Sequence, residues 1–366
     1  MNHNFEGLNE AQIEAILHRD GPCMVLAGAG SGKTRVLTER INYLIENGVR
    51  PDSILAITFT NKAAQEMRSR IRDMRPDYSG KWIQTFHAAC YKILRMDIHL
   101  LGYERNFAII DDSEGKTLLK EILKEERDYE TKPDEVLYSI KQAKNSLMDA
   151  EKYYRNLNLP LHIKDKYYRI FRIYNARLRE YNALDFEDLI ILSIKLLREY
   201  PDILAKYQNW FQYIMIDEYQ DTNYAQYLWA NLLAAAHHNI FVVGDPDQSI
   251  YSWRGAEPYN VKKFLKDYPK VHLIKLEKNY RSSASILKAA NAVIKNNRDR
   301  EEKELYTDKP DGDNLIYFCA GDSFQEAQFV ADTIADLVDR ENKRYHHCAV
   351  FYRTHAQSRI LEEALL

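Results

Sequence analysis

At 366 residues, 45% hydrophobic and 29% charged, the chain is long and apolar enough for two or three packed domains, which excludes a disordered or fibrous protein. Its net charge of −3 excludes a uniformly basic surface, so any face for a polyanion has to be local. Cys23, Cys90, Cys319 and Cys348 form neither a disulfide framework nor a metal-ligand spacing and read as free thiols in a reducing cytoplasm; no stretch approaches membrane-span length and Met1 to Glu10 has no apolar signal core.

Leu8-Asn9-Glu10-Ala11-Gln12 opens a helix, with Asn9 as its cap and Gln12 three residues on. Gln12 has two readings: half of a capping box, or an amide for an adenine edge. The apolar run Cys23 to Leu26 reads as a buried strand. It runs into Ala27-Gly28-Ala29-Gly30-Ser31-Gly32-Lys33-Thr34, and from Arg35 to Glu46 apolar residues recur at helical spacing. Strand, glycine-rich turn, Lys-Thr and helix make the context of a phosphate-binding loop. Its glycines let backbone N–H groups curl around phosphate oxygens, and the helix start adds its positive dipole end. Lys33 then reaches the β- and γ-phosphates, and Thr34 holds Mg²⁺. The strict pattern has glycine where this chain has Ala27.

Ile54 to Phe59 is a second apolar strand, ending in Thr60-Asn61 before a helix. Trp82 to His87 repeats the scheme. Strands alternating with helices imply a parallel sheet whose ligands lie at the carboxyl ends of its strands. Phe59, Asn61, Thr85 and His87 sit at such ends, where core packing and a base-stacking platform are both open.

Between Asp111 and Asn182 no strand run appears, and helical patterns broken at Pro133 and Pro160 read as an all-helical insertion. Asp112 to Glu135 is acidic. Lys141 to Arg179 is basic and interleaved with Tyr153, Tyr154, Tyr167, Tyr168, Phe171 and Tyr174. A strand-gripping surface and a solvated helix face with inward-packed tyrosines both fit, and composition alone favours the second.

The α/β pattern resumes at Leu184-Asp185-Phe186-Glu187-Asp188-Leu189. Tyr213 to Ile216 is a buried strand delivering Asp217 and Glu218 to its end. Beside a phosphate loop, Asp217 holds Mg²⁺ and Glu218 takes the proton of the attacking water. Asn239 to Asp245 is another buried strand. Gln248 follows it, placed to sense a γ-phosphate, and Tyr251, Trp253 and Arg254 stand a few residues on, suited to bases and backbone phosphate.

These blocks, with Asn279-Tyr280-Arg281-Ser282 and Tyr352 to Glu363, occur in the order found in the UvrD/Rep/PcrA group of superfamily-one DNA helicases, which the chain resembles from end to end. Ala27 is usual there. The resemblance implies a RecA-like P-loop sheet with an inserted all-helical subdomain and the start of a second RecA-like domain. The expected domains are 1–110 with 183–278, 111–182, and 279–366, the last beginning with strands at Leu315 to Ala320 and Cys348 to Tyr352. It implies a 3′-to-5′ single-stranded DNA translocase and helicase using ATP and Mg²⁺, with 3′-tailed duplex DNA and repair or replication proteins as partners, in the cytoplasm.

Residue by residue, the resemblance puts Gln12 and Tyr280 on adenine, and Lys33 and Arg35 on phosphates. Thr34 and Asp217 fall on Mg²⁺, Glu218 is the base, and Gln248 and Arg281 reach the γ-phosphate. Phe59, Asn61, Thr85, His87, Phe186, Tyr251, Trp253 and Arg254 fall along the DNA path. The basic helical insertion corresponds to a family domain that contacts duplex and strand. Family members continue through a second helical insertion and further motifs, so the chain reads as the N-terminal part of a longer protein and as weakly active by itself. The helicase part of a RecB/AddA-type helicase–nuclease, or an ATP- and DNA-binding adaptor without turnover, are the alternatives.

Overall fold

A computed structural model describes residues 5–250, 259–297, 303–341 and 343–366. In chain order the strands are β1 (Cys23–Ala27), β2 (Ile54–Thr58), β3 (Ile83–Thr85), β4 (Ala108–Ile109), β5 (Ala183–Leu184), β6 (Tyr213–Ile216), β7 (Ile240–Gly244) and β8 (His272–Leu276). Among the described residues, six of them form one parallel sheet in the order β3-β2-β6-β7-β1-β8.

The continuous apolar runs of β1, β2, β6 and β7 are what a sheet buried on both faces requires. Alternation sends Cys23, Val25 and Ala27 of β1 to one face and Met24 and Leu26 to the other. The first face packs against α1 (Glu10–Leu17), α2 (Lys33–Glu46) and α3 (Asn61–Met74) through Ile16, Leu37, Ile41, Met67 and Ile71. The second face is covered by α4 (Phe86–Asp97) through Ile93 and Leu94. Truncating a strand residue such as Ile57, buried in this second core, removes about 2–5 kcal/mol.

The insertion holds α5 (Asp112–Glu125), α6 (Pro133–Asn145), α7 (Ala150–Asn156) and α8 (Leu161–Glu180) around its own core of Leu119, Ile122, Val136, Ile140, Ile170 and Tyr174. Its two ends are clasped by a two-rung parallel pairing, Ala108 with Ala183 and Ile109 with Leu184. After β5 come α9 (Phe186–Glu199), α10 (Pro201–Trp210), α11 (Tyr224–Ala234) and α12 (Tyr259–Asp267), which complete the second face. Trp229 of α11 is fully buried and donates its ring N–H to Ser193 Oγ at 2.9 Å, so its one polar atom is satisfied.

The chain divides into two compact units, Met1–Pro310 and Asp311–Leu366. The first ends beyond α13 (Ala284–Ile294); the second holds α14 (Ser323–Glu341) and α15 (Ser358–Leu365). The strands expected over 315–320 and 348–352 are not formed among the described residues. An extended run becomes a strand only where a neighbouring backbone pairs with it. Here no ladder forms, and Tyr317 and Phe351 stand out in solvent. β8 is the converse: a strand the sequence reading passed over, whose alternating His-Leu-Ile-Lys-Leu pattern buries only Ile274 and Leu276.

Candidate nucleotide site

β1 ends at Ala27, the chain turns through Gly28 to Gly32, and α2 begins at Lys33. Gly30 and Gly32 have φ of +67° and +89°, the left-handed region that side chains resist. Both are also crowded: a Cβ on Gly30 would stand 2.8 Å from Cβ of Arg281, and one on Gly32 2.7 Å from Nε2 of Gln12. With Gly32 as its cap, α2 has no side chain on its first N–H groups, which leaves them for an anion.

Gln12 forms the capping box of its first reading. Its Oε1 accepts from the Asn9 N–H at 3.0 Å while Asn9 Oδ1 accepts from the Gln12 N–H at 2.8 Å, the reciprocal capping box. Its Nε2 donates to the Ser31 carbonyl at 2.8 Å, so the amide also braces the loop. The Tyr280 N–H donates to the Gly30 carbonyl at 2.9 Å, and its hydroxyl accepts from Asn9 Nδ2 at 2.9 Å. Tyr280 stays 40% exposed on the flank of the loop, with the Lys278 ammonium 5.6 Å from its ring centroid.

Asn279, given no role by the sequence reading, fastens this flank. Its Nδ2 donates to the Ala29 carbonyl at 2.6 Å and its Oδ1 accepts from the N–H groups of Arg281 and Ser282, both at 2.8 Å. The available signal was an Asn at the head of a Tyr-Arg-Ser turn, where an Asx cap is the ordinary use.

Across the loop, Lys33 Nζ and Glu218 Oε2 are 2.9 Å apart. Glu218 sits at φ +49°, a conformation rare outside glycine, and Gln220 Nε2 donates to the same Oε2 at 2.8 Å. Burial first, and the Glu218 charge second, push the Asp217 carboxyl up to about 7 against the opposing pull of Lys33. That is a bias of about 4 kcal/mol against its charged form. Burial and Glu218 push Asp221 up to about 6 in the same way. Three carboxylates thus face one ammonium, a surplus of negative charge that a cation relieves. Among the described residues no group of three or more His, Cys, Asp or Glu is disposed to hold a metal alone. Thr34, half-buried in the first turn of α2, and Asp217 are hard oxygen donors of the kind Mg²⁺ takes alongside phosphate oxygens.

Arg35 is turned elsewhere. Its guanidinium donates to the carbonyls of Glu6 and Gly7, both at 3.0 Å, rather than toward the loop. Gln248 Nε2 donates to Asp245 Oδ2 at the end of β7, the strand beside β1.

Phe59, Thr85, His87 and Phe186 line one cleft of about 1100 Å³ that also takes in residues of α5 and α6. His87 and Phe186 meet edge to face at 5.9 Å between ring centroids, and burial lowers the His87 pKa. Asn61, exposed at the start of α3, is not among the lining residues. The described lining holds five carboxylates and two lysines, so a polyanion there would be gripped by rings and hydrogen bonds rather than by charge. Tyr251, Trp253 and Arg254 lie outside the described residues.

In the helical insertion, cations of the basic half pair with the acidic half. Lys166 pairs with Asp128 at 3.0 Å, Arg169 with Glu126 at 2.8 Å and Arg177 with Glu125 at 2.9 Å. The acidic first half thus takes up part of the charge of the basic second half, while Tyr154 and Tyr174 are buried and Tyr167 and Phe171 pack on the core. A linear reading counts charges along the chain and does not see such cross-helix pairing. Among the described residues no helix is long and apolar enough to cross a membrane.

Comparison with known proteins accounts for the arrangement. Residues 8–269 match the UvrD/REP helicase N-terminal domain, and residues 274–366 match the UvrD-like helicase C-terminal domain. The chain is 46% identical to the ATP-dependent DNA helicase PcrA of Bacillus subtilis (strain 168), over 100% of this chain and 50% of the relative. It is 44% identical to PcrA of Leuconostoc citreum, over 98% of this chain and 48% of the relative, and 45% identical to PcrA of Staphylococcus aureus (strain Mu50 / ATCC 700699), over 100% and 50%. The chain spans about half the length of the curated relatives it matches. With a phosphate-binding loop at the end of a parallel RecA-like sheet and both family matches in sequence order, the chain belongs to the UvrD/Rep helicase family.

Proposed function

We propose that the chain carries the nucleotide site and part of the strand path of an ATP-dependent 3′-to-5′ single-stranded DNA translocase and helicase, acting on 3′-tailed duplex in the cytoplasm. The observation that carries this reading is the convergence on one loop of Lys33 with Glu218 from one side and of Tyr280 with Arg281 from the other. In this reading residues 1–110 with 183–278 form the first RecA-like domain, 111–182 its helical insertion, and 279–366 the beginning of the second.

The loop from Ala27 through Ala29 and Ser31 to Thr34 wraps the phosphates with its N–H groups. Lys33 exchanges Glu218 for the β- and γ-phosphates, and Arg35 joins them after leaving its carbonyl partners. Thr34 and Asp217 would hold Mg²⁺, which would supply neutralising positive charge beside the phosphate oxygens. Glu218, released from Lys33, accepts the proton of the attacking water, and Gln248 and Arg281 stabilise the charge on the moving phosphoryl group. Tyr280 and Gln12 flank adenine. Phe59, Thr85, His87 and Phe186 offer stacking and hydrogen-bonding positions for single-stranded DNA, with Asn61 beside them, and the relatives' names as DNA helicases support that substrate. Repair or replication proteins are the partners in this reading.

The test is a side-by-side assay of this chain and the longer protein it matches: Mg·ATP binding, turnover with and without single-stranded DNA, and unwinding of a 3′-tailed duplex. Nucleotide binding by both, with DNA-stimulated turnover strongest in the longer protein, supports the reading. Absence of nucleotide binding in both removes it.

A further inference from the structure

Lys303 has no role in the site as described so far, yet its ammonium is buried at the end of β7. Its side chain is 4% exposed, and it pairs with Asp245 and, at 2.9 Å, with Asp247, whose side chains are 3% and 9% exposed. Lysine is seldom buried, and a buried ammonium persists only where partners replace its water. Here two carboxylates from the turn after β7 do so.

Asp245 is the hub of a longer chain of contacts. One of its oxygens, Oδ1, takes Lys303 and the Asp247 N–H, the latter at 3.1 Å; the other, Oδ2, takes the Gln248 amide. Its own N–H donates to Gln220 Oε1 at 2.8 Å, and Gln220 Nε2 donates to Glu218 Oε2, the partner of Lys33. A continuous polar path therefore runs from Lys303 through Asp245 and Gln220 to Glu218 and Lys33. Two residues past Lys303, Leu305 Cδ2 lies where it would stand 2.1 Å from a Cβ on Gly28. The same short segment thus touches the phosphate loop and the carboxylate that holds Gln248. Lys303 lies in the C-terminal family match, and Asp245 and Gln248 lie in the N-terminal one.

We propose that Lys303 is a positioning residue for recognition of the terminal phosphate, acting on Gln248 through Asp245. A carboxylate held by a buried ammonium has a fixed direction. Gln248 then gives one amide N–H to Asp245 and keeps its second N–H for another acceptor, which in this proposal is an oxygen of the terminal phosphate. Without Lys303 the Asp245 carboxylate turns toward whatever solvates it, and the Gln248 amide loses its bearing. The proposal rests on the reading of Gln248 as the residue that meets the γ-phosphate.

The test measures binding of a fluorescent ADP and a non-hydrolysable fluorescent ATP analogue, each with Mg²⁺, to the 366-residue chain. Gln248→Ala should lower the preference for the ATP analogue over ADP by roughly tenfold, the loss of one charge-assisted hydrogen bond. Lys303→Met should lower it to a similar extent, leave ADP affinity unchanged, and add nothing in the double variant, because both act on one contact. Equal weakening of ADP and the analogue by Lys303→Met, or additive losses in the double variant, would mean that Lys303 only staples the fold and would overturn the proposal. Loss of preference in Gln248→Ala but not in Lys303→Met overturns it alone; an intact preference in Gln248→Ala removes the reading of Gln248 and the proposal with it. If Lys303→Met does not fold, the same measurements on Lys303→Met with Asp247→Asn, which leaves one fewer buried carboxylate uncompensated, decide between these outcomes.

Discussion

Lys33 Nζ and Glu218 Oε2 are hydrogen-bonded at 2.9 Å, so the residue read as phosphate ligand and the residue read as general base neutralise one another before nucleotide arrives. The pair is partly exposed, and such pairs contribute no more than about 1 kcal/mol to stability. Lys33→Ala should therefore abolish nucleotide binding or turnover while moving the unfolding midpoint little. Glu218→Gln should keep Mg·ATP binding and lose hydrolysis. Binding by calorimetry and turnover by phosphate release in the longer protein check both, and undiminished turnover by Glu218→Gln would remove the base assignment.

Asp217 makes stability fall as pH rises. Its pKa is raised from 3.8 to about 7 in the folded chain, so the folded state holds a proton that the unfolded state has released. The stabilisation is complete below the unfolded value and is lost as pH climbs to about 7. Asp217→Asn removes this dependence. Relative to wild type it should gain on the order of 2 kcal/mol between pH 5 and pH 8. Denaturant titrations at the two pH values check this, and an unchanged difference would mean that Asp217 is already ionised in the fold.

Lys144 of α6 is 4% exposed and pairs with Asp185 at 2.6 Å and Asp188 at 2.7 Å at the start of α9. Lys144→Met strands two buried carboxylates and should cost about 3–5 kcal/mol, read as a lowered denaturation midpoint. Burial, and the neighbouring Asp185 charge, already push Asp188 up to about 7, so the loss should shrink at pH 5, where Asp188 takes a proton. A loss independent of pH would place the cost in packing rather than in charge.

Phe186, 43% exposed beside His87, should contribute about 1–3 kcal/mol to single-strand binding if a base stacks on it. Phe186→Ala tests this by fluorescence titration. Charge reversal at Lys166 and Arg169 should leave the salt dependence of binding nearly unchanged, because both cations already face Asp128 and Glu126. A flattened slope in that variant would show that the pairs open to meet DNA.

Much of the sheet was legible because burial on both faces writes itself as unbroken apolar runs, as in β1, β2, β6 and β7. β8 was hidden because its exposed residues His272 and Lys275 interrupt the run, and an edge strand needs only one covered face. At the site, Lys33, Asp217 and Glu218 announce themselves by residue type and place. Gln220, Asn279 and Lys303 do not: each makes at least one contact with a residue far away in sequence, respectively the Asp245 N–H, the Ala29 carbonyl and the Asp245 carboxylate, and nothing in local composition marks an amide or an ammonium that will be buried. In the insertion the converse holds: Lys166, Arg169 and Arg177 look available in a linear reading and are paired with Asp128, Glu126 and Glu125 once the helices pack.

β8 has a consequence for where this protein can be divided. It pairs with β1 from Cys23↔His272 to Ala27↔Leu276, yet it lies wholly beyond residue 269, where the N-terminal family match stops. A fragment cut at that boundary keeps every residue of the phosphate loop but strips β1 of its outer neighbour. The unmated edge would then belong to the most apolar kind of strand, Cys-Met-Val-Leu-Ala, with no charge or proline to blunt it. Two such fragments would find in each other the partner they lack, so the cut that looks natural in sequence is the one that invites self-association.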